Sequence, residues 1–256
     1  MRRIPTMMRR ELVSYFRSPL AYLLAALFSA VVLLFAWRGL EQGPKELVPG
    51  IMGFSSFLMI FLVPILTMRL LAQEKETGAM EILVTDPVTD WDIVLGKYLA
   101  AVIAMWGMLL PLAAYVICYS LIGWGLEAPK EPWYKFWAWI PQSLEWGPLL
   151  AGMLGTMLVG AVFVAVGLFA SSLTASQPIS ALIGFMITLV LWVFGLVGQF
   201  FDTGRATELI QSMSLFERQQ MLISGRLDTR PLFLFLSTIA LMLYLTVRVV
   251  ESRKWR

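Results

Sequence analysis

The sequence predicts an all-α, polytopic membrane protein, and three observations predict it. Of 256 residues, 59% are hydrophobic and 14% charged, far from the balance of a water-soluble domain. The apolar residues gather into six runs without Asp, Glu, Lys or Arg, at 20–37, 51–68, 98–123, 148–173, 179–201 and 232–247. Arginines crowd both ends of the chain.

A hydrocarbon core about 30 Å thick takes roughly 20 helical residues, so each run is read as one transmembrane helix. The first run lacks a small-residue cleavage pattern and is expected to be retained as a span. Six spans put both termini on one side. The head (Arg2, Arg3, Arg9, Arg10, Arg17) and the tail (Arg248, Arg253, Lys254, Arg256) make that side cytoplasmic by the positive-inside rule. The segment 69–97, with Arg69, Lys75 and Lys97, then faces the cytoplasm, and the loops 124–146 and 202–230 face outward.

Residues 1–18 precede the first span. Ile4, Met7, Met8, Leu12 and Tyr15 or Phe16 recur at helical spacing among arginines, which predicts an interfacial helix on the inner leaflet that turns at Ser18–Pro19. The loop 124–146 holds five of the ten tryptophans, an aromatic content suited to the headgroup region. In 202–230, Leu209, Ile210, Met213, Phe216, Met221 and Leu222 are spaced as short helices dipping into the outer leaflet.

The cytoplasmic segment is the most informative one. Glu74, Glu76 and Glu81 alternate with Met80, Ile82, Leu83 and Val84, predicting a short amphipathic helix that Pro87 stops. Thr89 and Asp92 have capping-box spacing and start the next helix near Asp90. Such a segment is either a solvated hairpin or a helix that docks into a groove on a soluble partner.

Absences narrow the chemistry. The chain has no histidine and a single cysteine, Cys118, inside the third apolar run. Histidine catalysis, histidine or thiolate metal sites and intrachain disulfides are excluded. Ser171, Ser172 and Glu217 are the only groups an intramembrane hydrolase could use, and no lysine base lies in a span beside them. No phosphate loop is present; Gly96–Lys97–Tyr98 lacks the upstream glycine and the hydroxyl residue. The net charge of +3 sits at the inner surface, which fits membrane lipids and not nucleic acid. No cofactor is expected to bind directly.

Small residues mark close helix packing. Gly147, Ala151 and Gly155 form one ridge of the fourth span, and Gly152, Thr156 and Gly160 the next. These ridges suit packing within the chain or between subunits.

Three segments carry a resemblance: Ser18–Pro19–Leu20–Ala21–Tyr22, the stretch from Pro64 to Lys97 with its Glu-Lys-x-Thr-Gly-x-x-Glu core, and Gly167 to Gln177. They resemble the ABC-2 type transporter permeases, particularly those of gliding-motility and nitrous-oxide-reductase-maturation systems. The resemblance implies one transmembrane domain over 1–256 and a coupling segment at 69–97. Within that segment Glu74, Lys75, Thr77, Gly78, Glu81 and Leu83 would contact a separate ATPase, the acids facing basic side chains of that partner. It further implies two ATPase copies that use ATP, a second permease copy or a homologous permease, room for an accessory periplasmic subunit, and a bacterial cytoplasmic-membrane location. Export is the implied direction, with a membrane scaffold or a mechanotransmission subunit as the alternative. The chain departs from the pattern at Leu215–Phe216–Glu217 and at Pro231 after Asp228–Thr229–Arg230.

Overall fold

The computed structural model describes residues 3–38, 44–78, 89–125, 146–200, 214–225 and 228–252. Nine helices occupy these residues, and no strand is found among them. Helix α1 (Arg3–Arg17) leads into α2 (Pro19–Arg38); α3 (Pro44–Thr67) is followed after Met68 by α4 (Arg69–Glu76). Then come α5 (Asp90–Gly125), α6 (Trp146–Leu173), α7 (Gln177–Phe200), α8 (Leu215–Ile223) and α9 (Thr229–Ser252).

Five stretches are long and apolar enough to cross a membrane: Pro19–Trp37, Val48–Glu76, Asp90–Tyr115, Gly147–Leu173 and Thr229–Ser252. α7 contributes a shorter apolar stretch, Gln177–Val193. Residues 126–145 of the aromatic loop, and 202–213 with 226–227 of the last outer loop, lie outside the described residues.

Helix α6 is the axis of the bundle. Val162, Phe163, Val164, Ala165 and Val166 are five consecutive residues without exposed surface, so this helix is covered on every side. α3, α7, α8 and α9 pack around it, whereas α2 lies at the periphery with Leu23, Leu27 and Leu34 outward. In water such leucines would be a liability; against lipid tails they are the expected outer face.

Backbone chemistry sets the breaks. Pro19 has no N–H to continue the ladder of α1, and Ser18 N–H closes that helix on the Tyr15 carbonyl at 3.1 Å. Pro64 cannot donate to the Ile60 carbonyl, and the Thr188 hydroxyl of α7 stands 3.5 Å from that oxygen. α5 begins at Asp90 with the capping box in place: Asp92 N–H donates to Thr89 Oγ1 at 3.3 Å and Thr89 N–H to the Asp92 carboxylate at 3.4 Å.

α4 continues α3 and ends at Glu76, and Gly78 turns the chain at φ +72°; residues 79–88, which hold Met80 to Val84 of the expected amphipathic helix, lie outside the described residues. The apolar stripe of α1 packs on α5: Gly96 lets α1 approach so closely that a Cβ there would stand 2.9 Å from Met7 Cβ. Within 202–230, α8 packs into the protein, with Leu215, Gln219, Leu222 and Ile223 buried, since α6 offers a glycine groove that lipid would fill less well.

Candidate functional site

The site grows from one residue. Lys97 lies two turns into α5 and is 3% exposed. An ammonium so placed is tolerated only when carboxylates replace its water. Its Nζ donates to Glu11 Oε1 of α1 at 2.6 Å and to Glu74 Oε1 of α4 at 2.7 Å. One cation therefore joins three helices from three parts of the chain. Beside it the Tyr15 hydroxyl donates to the Leu66 carbonyl at 3.2 Å, bracing α1 against the end of α3. Burial pushes the Tyr15 phenol well above its ordinary value; the nearby Glu11 carboxylate adds to the shift and Arg69 opposes it.

A second set of contacts grips α4 from the opposite flank. Met68 gives α4 no side-chain cap. Ser171 of α6 supplies one from 100 residues away: its Oγ accepts from Leu71 N–H at 3.0 Å and from Ala72 N–H at 2.9 Å, and donates to the Met68 carbonyl at 3.0 Å. One turn earlier on α6, Gly167 makes the approach feasible, because a Cβ there would lie 2.0 Å from Thr67 Oγ1. The Lys75 ammonium donates to the Ser172 carbonyl in the last turn of α6, a favourable place for a cation. Gln177, opening α7, donates to Glu76 at 3.0 Å.

The resemblance-derived residues are thus divided. The Glu74 carboxylate pairs with Lys97, and the Lys75 ammonium donates to the Ser172 carbonyl. Thr77 and Gly78 are exposed; Thr77 Oγ1 donates to the Gln73 carbonyl at 2.9 Å. A Cβ at Gly78 would meet nothing within 4 Å, so its role is conformational. Glu81 and Leu83 lie outside the described residues.

The small residues of α6 pack within the chain. Cβ atoms at Gly152, Gly155 and Gly160 would stand 2.5 Å from Met52 Sδ, 3.1 Å from Leu222 Cβ and 2.7 Å from Met105 Cε. Ala151 is buried, Thr156 donates to the Gly152 carbonyl at 3.0 Å, and Gly147 is exposed with nothing near it. Gln219 of α8 is 1% exposed and donates to Ser56, with Thr156 Oγ1 at 3.5 Å, which pins α8 to α3 and α6.

Sequence reasoning missed Glu11, Lys97, Ser171 and Gly167 as a constellation. A lysine five residues into an otherwise uncharged helical stretch was the available signal for Lys97; nothing in the sequence pairs Ser171 with residue 71. The serines are not arranged for nucleophilic catalysis. The Ser171 hydroxyl is committed to backbone groups, Ser172 Oγ donates to the Phe169 carbonyl at 2.6 Å, and Lys75 reaches a carbonyl and not a hydroxyl. The arrangement ties α4 to α1, α5 and α6 through ion pairs and hydrogen bonds.

Comparison with known proteins adds one match. A family model described as ABC-2 family transporter protein covers residues 38–246. No curated protein matches the chain in sequence.

Proposed function

This chain belongs to the ABC-2 family of transporter proteins, and on that premise we propose that it is the membrane-spanning permease subunit of an ABC exporter. It carries no catalysis itself; ATP is hydrolysed on a separate ATPase subunit that docks at the turn following α4. The single observation behind this mechanism is the double clamp on α4, the Glu74–Lys97–Glu11 ion pairs on one flank and the Ser171 cap on the other. A push at Thr77–Gly78 passes through α4 into α1, α5 and α6 without a flexible link.

The complete arrangement in this reading has six spans, with α7 as the fifth, and both termini in the cytoplasm of a bacterium. Two permease copies, identical or homologous, pair with two ATPases, as in the gliding-motility type that the sequence resembles, with space for an accessory periplasmic subunit. ATP draws the ATPases together, both α4 elements move, and the two halves exchange inward-closed and outward-open states. The absence of Asp, Glu, Lys and Arg from the six apolar runs favours an amphiphilic or apolar cargo over an ion.

The test is co-purification with the ATPase encoded beside it and measurement of ATP hydrolysis in nanodiscs. Changing exposed residues at the turn, Glu76→Lys with Thr77→Arg, is expected to abolish ATPase binding while the chain still folds. If the unaltered chain neither binds that ATPase nor changes its turnover, the permease mechanism fails and a scaffold takes its place.

A further inference from the structure

Arg9, Arg10, Arg17 and Arg69 line one open cleft of about 660 Å³ where α1 turns into α2, with Ser14 and Ser18 between them. Ion pairs in this region go to Lys97 instead; none of the four guanidinium groups forms one among the described residues. Arg69 is only partly exposed. Its Nη1 donates to Ser18 Oγ at 3.0 Å, and its Nε is buried without a partner. Four cations line this cleft, and the Glu11 and Glu74 carboxylates of the adjoining cavity are taken up by Lys97, so an anion bound among the guanidinium groups would relieve their mutual repulsion. Guanidinium forks match phosphate oxygens geometrically, and the serine hydroxyls add neutral donors.

We propose that this cleft is a binding site for the phosphate of an anionic phospholipid headgroup. Its position selects a lipid over a free phosphate. The cleft opens where the non-spanning helix α1 meets α2, and α2 continues with Tyr22, Leu23 and Leu27 exposed, a surface on which acyl chains would lie. Arg69 at the start of α4 places the headgroup against the same element that the ion pairs hold, so a bound lipid would stiffen the α1–α4 contact. The inference is independent of ATPase docking.

The experiment is a native mass-spectrometry titration of the full-length chain in detergent with dioctanoyl phosphatidylglycerol. Dioctanoyl phosphatidylcholine is run in parallel, and inorganic phosphate is added as a competitor. Arg10→Gln/Arg17→Gln alters only exposed residues and is expected to weaken phosphatidylglycerol binding roughly fivefold per arginine. Arg69→Gln is expected to do the same, and Arg69→Lys to recover only part. Arg230→Gln, exposed in the first turn of α9, should leave affinity unchanged. Equal binding of the two lipids, an equal loss for Arg230→Gln, or no loss for Arg10→Gln/Arg17→Gln would overturn the proposal in favour of diffuse charge. Competition by inorganic phosphate at concentrations matching the lipid would also overturn it, by making free phosphate the ligand.

Discussion

Replacing Lys97 by Met keeps the length and apolar stem of the side chain and deletes its charge. Glu11 Oε1 and Glu74 Oε1 lie 2.6 and 2.7 Å from the lysine nitrogen, and both carboxylates are only 20% exposed. Without the cation they face each other across roughly 5 Å, a repulsion of about 3 kcal/mol at an effective dielectric constant of about 20. Stranding a buried charge by removing its partner costs about 3–5 kcal/mol in general, and the residual exposure of these carboxylates places this case at the lower end. Thermal unfolding in mild detergent, followed by tryptophan fluorescence, should show a loss of roughly 6–12 °C for a destabilisation of that size. Glu74→Gln should cost much less, because it converts a triad of net charge −1 into a balanced Lys97–Glu11 pair. Lys97→Met/Glu74→Gln should regain most of the loss, since the repulsion disappears with either carboxylate. A Lys97→Met variant within about 2 °C of the parent, or a Glu74→Gln variant as damaged as Lys97→Met, would refute the argument that one buried cation organises this end of the bundle.

The clamp makes further predictions. Ser171→Ala leaves the N–H groups of Leu71 and Ala72 and the Met68 carbonyl without their side-chain partner; a loss of about 1–3 kcal/mol is expected, with faster amide exchange confined to the first turn of α4. Gly78→Ala should cost about 1–2 kcal/mol through backbone strain alone, because φ is +72° and the space is open. Gly78→Asn should cost less, since asparagine tolerates that conformation, and thermal unfolding of the two variants checks the ranking. The raised Tyr15 phenol predicts an alkaline limb. The folded chain keeps this proton above pH 10 while the unfolded chain releases it, so stability is complete below about pH 10 and falls as pH rises beyond it. Tyr15→Phe should flatten that slope relative to the parent, while lysines titrate alike in both; identical slopes would contradict the burial of this phenol.

Much of the fold was legible because its solvent is uniform. A span must be apolar along its whole length, whatever it packs against, so charge-free runs mark spans locally. Capping is equally local, and Thr89–Asp92 announced the start of α5 three residues apart. α1 was legible as an amphipathic helix, but its partner was not. The stripe Ile4, Met7, Met8, Leu12 and Tyr15 fits a lipid surface and a protein groove equally well, and its contact with α5 depends on Gly96, 80 or more residues onward. The same ambiguity covered α8, whose helical spacing was visible and whose burial depended on Gly152 and Gly155.

The sequence by itself determined the class of molecule: an all-helical membrane protein without histidine chemistry, a phosphate loop or a charged intramembrane relay, in which a short charged segment follows the second span. Those properties depend on composition and on neighbours within a few residues. Only the tertiary structure decided what the charges do. Glu74 reads as an exposed acid and is an internal counter-ion; Lys97 reads as a topology marker and is a buried knot; Ser171 reads as a small polar residue in a span and is the cap of another helix. The physical reason is that the free energy of a charge or a hydroxyl depends on its solvation and its partners. Those partners, Glu11 and Glu74 for Lys97 and Leu71 and Ala72 for Ser171, come together only when helices distant in the chain pack side by side.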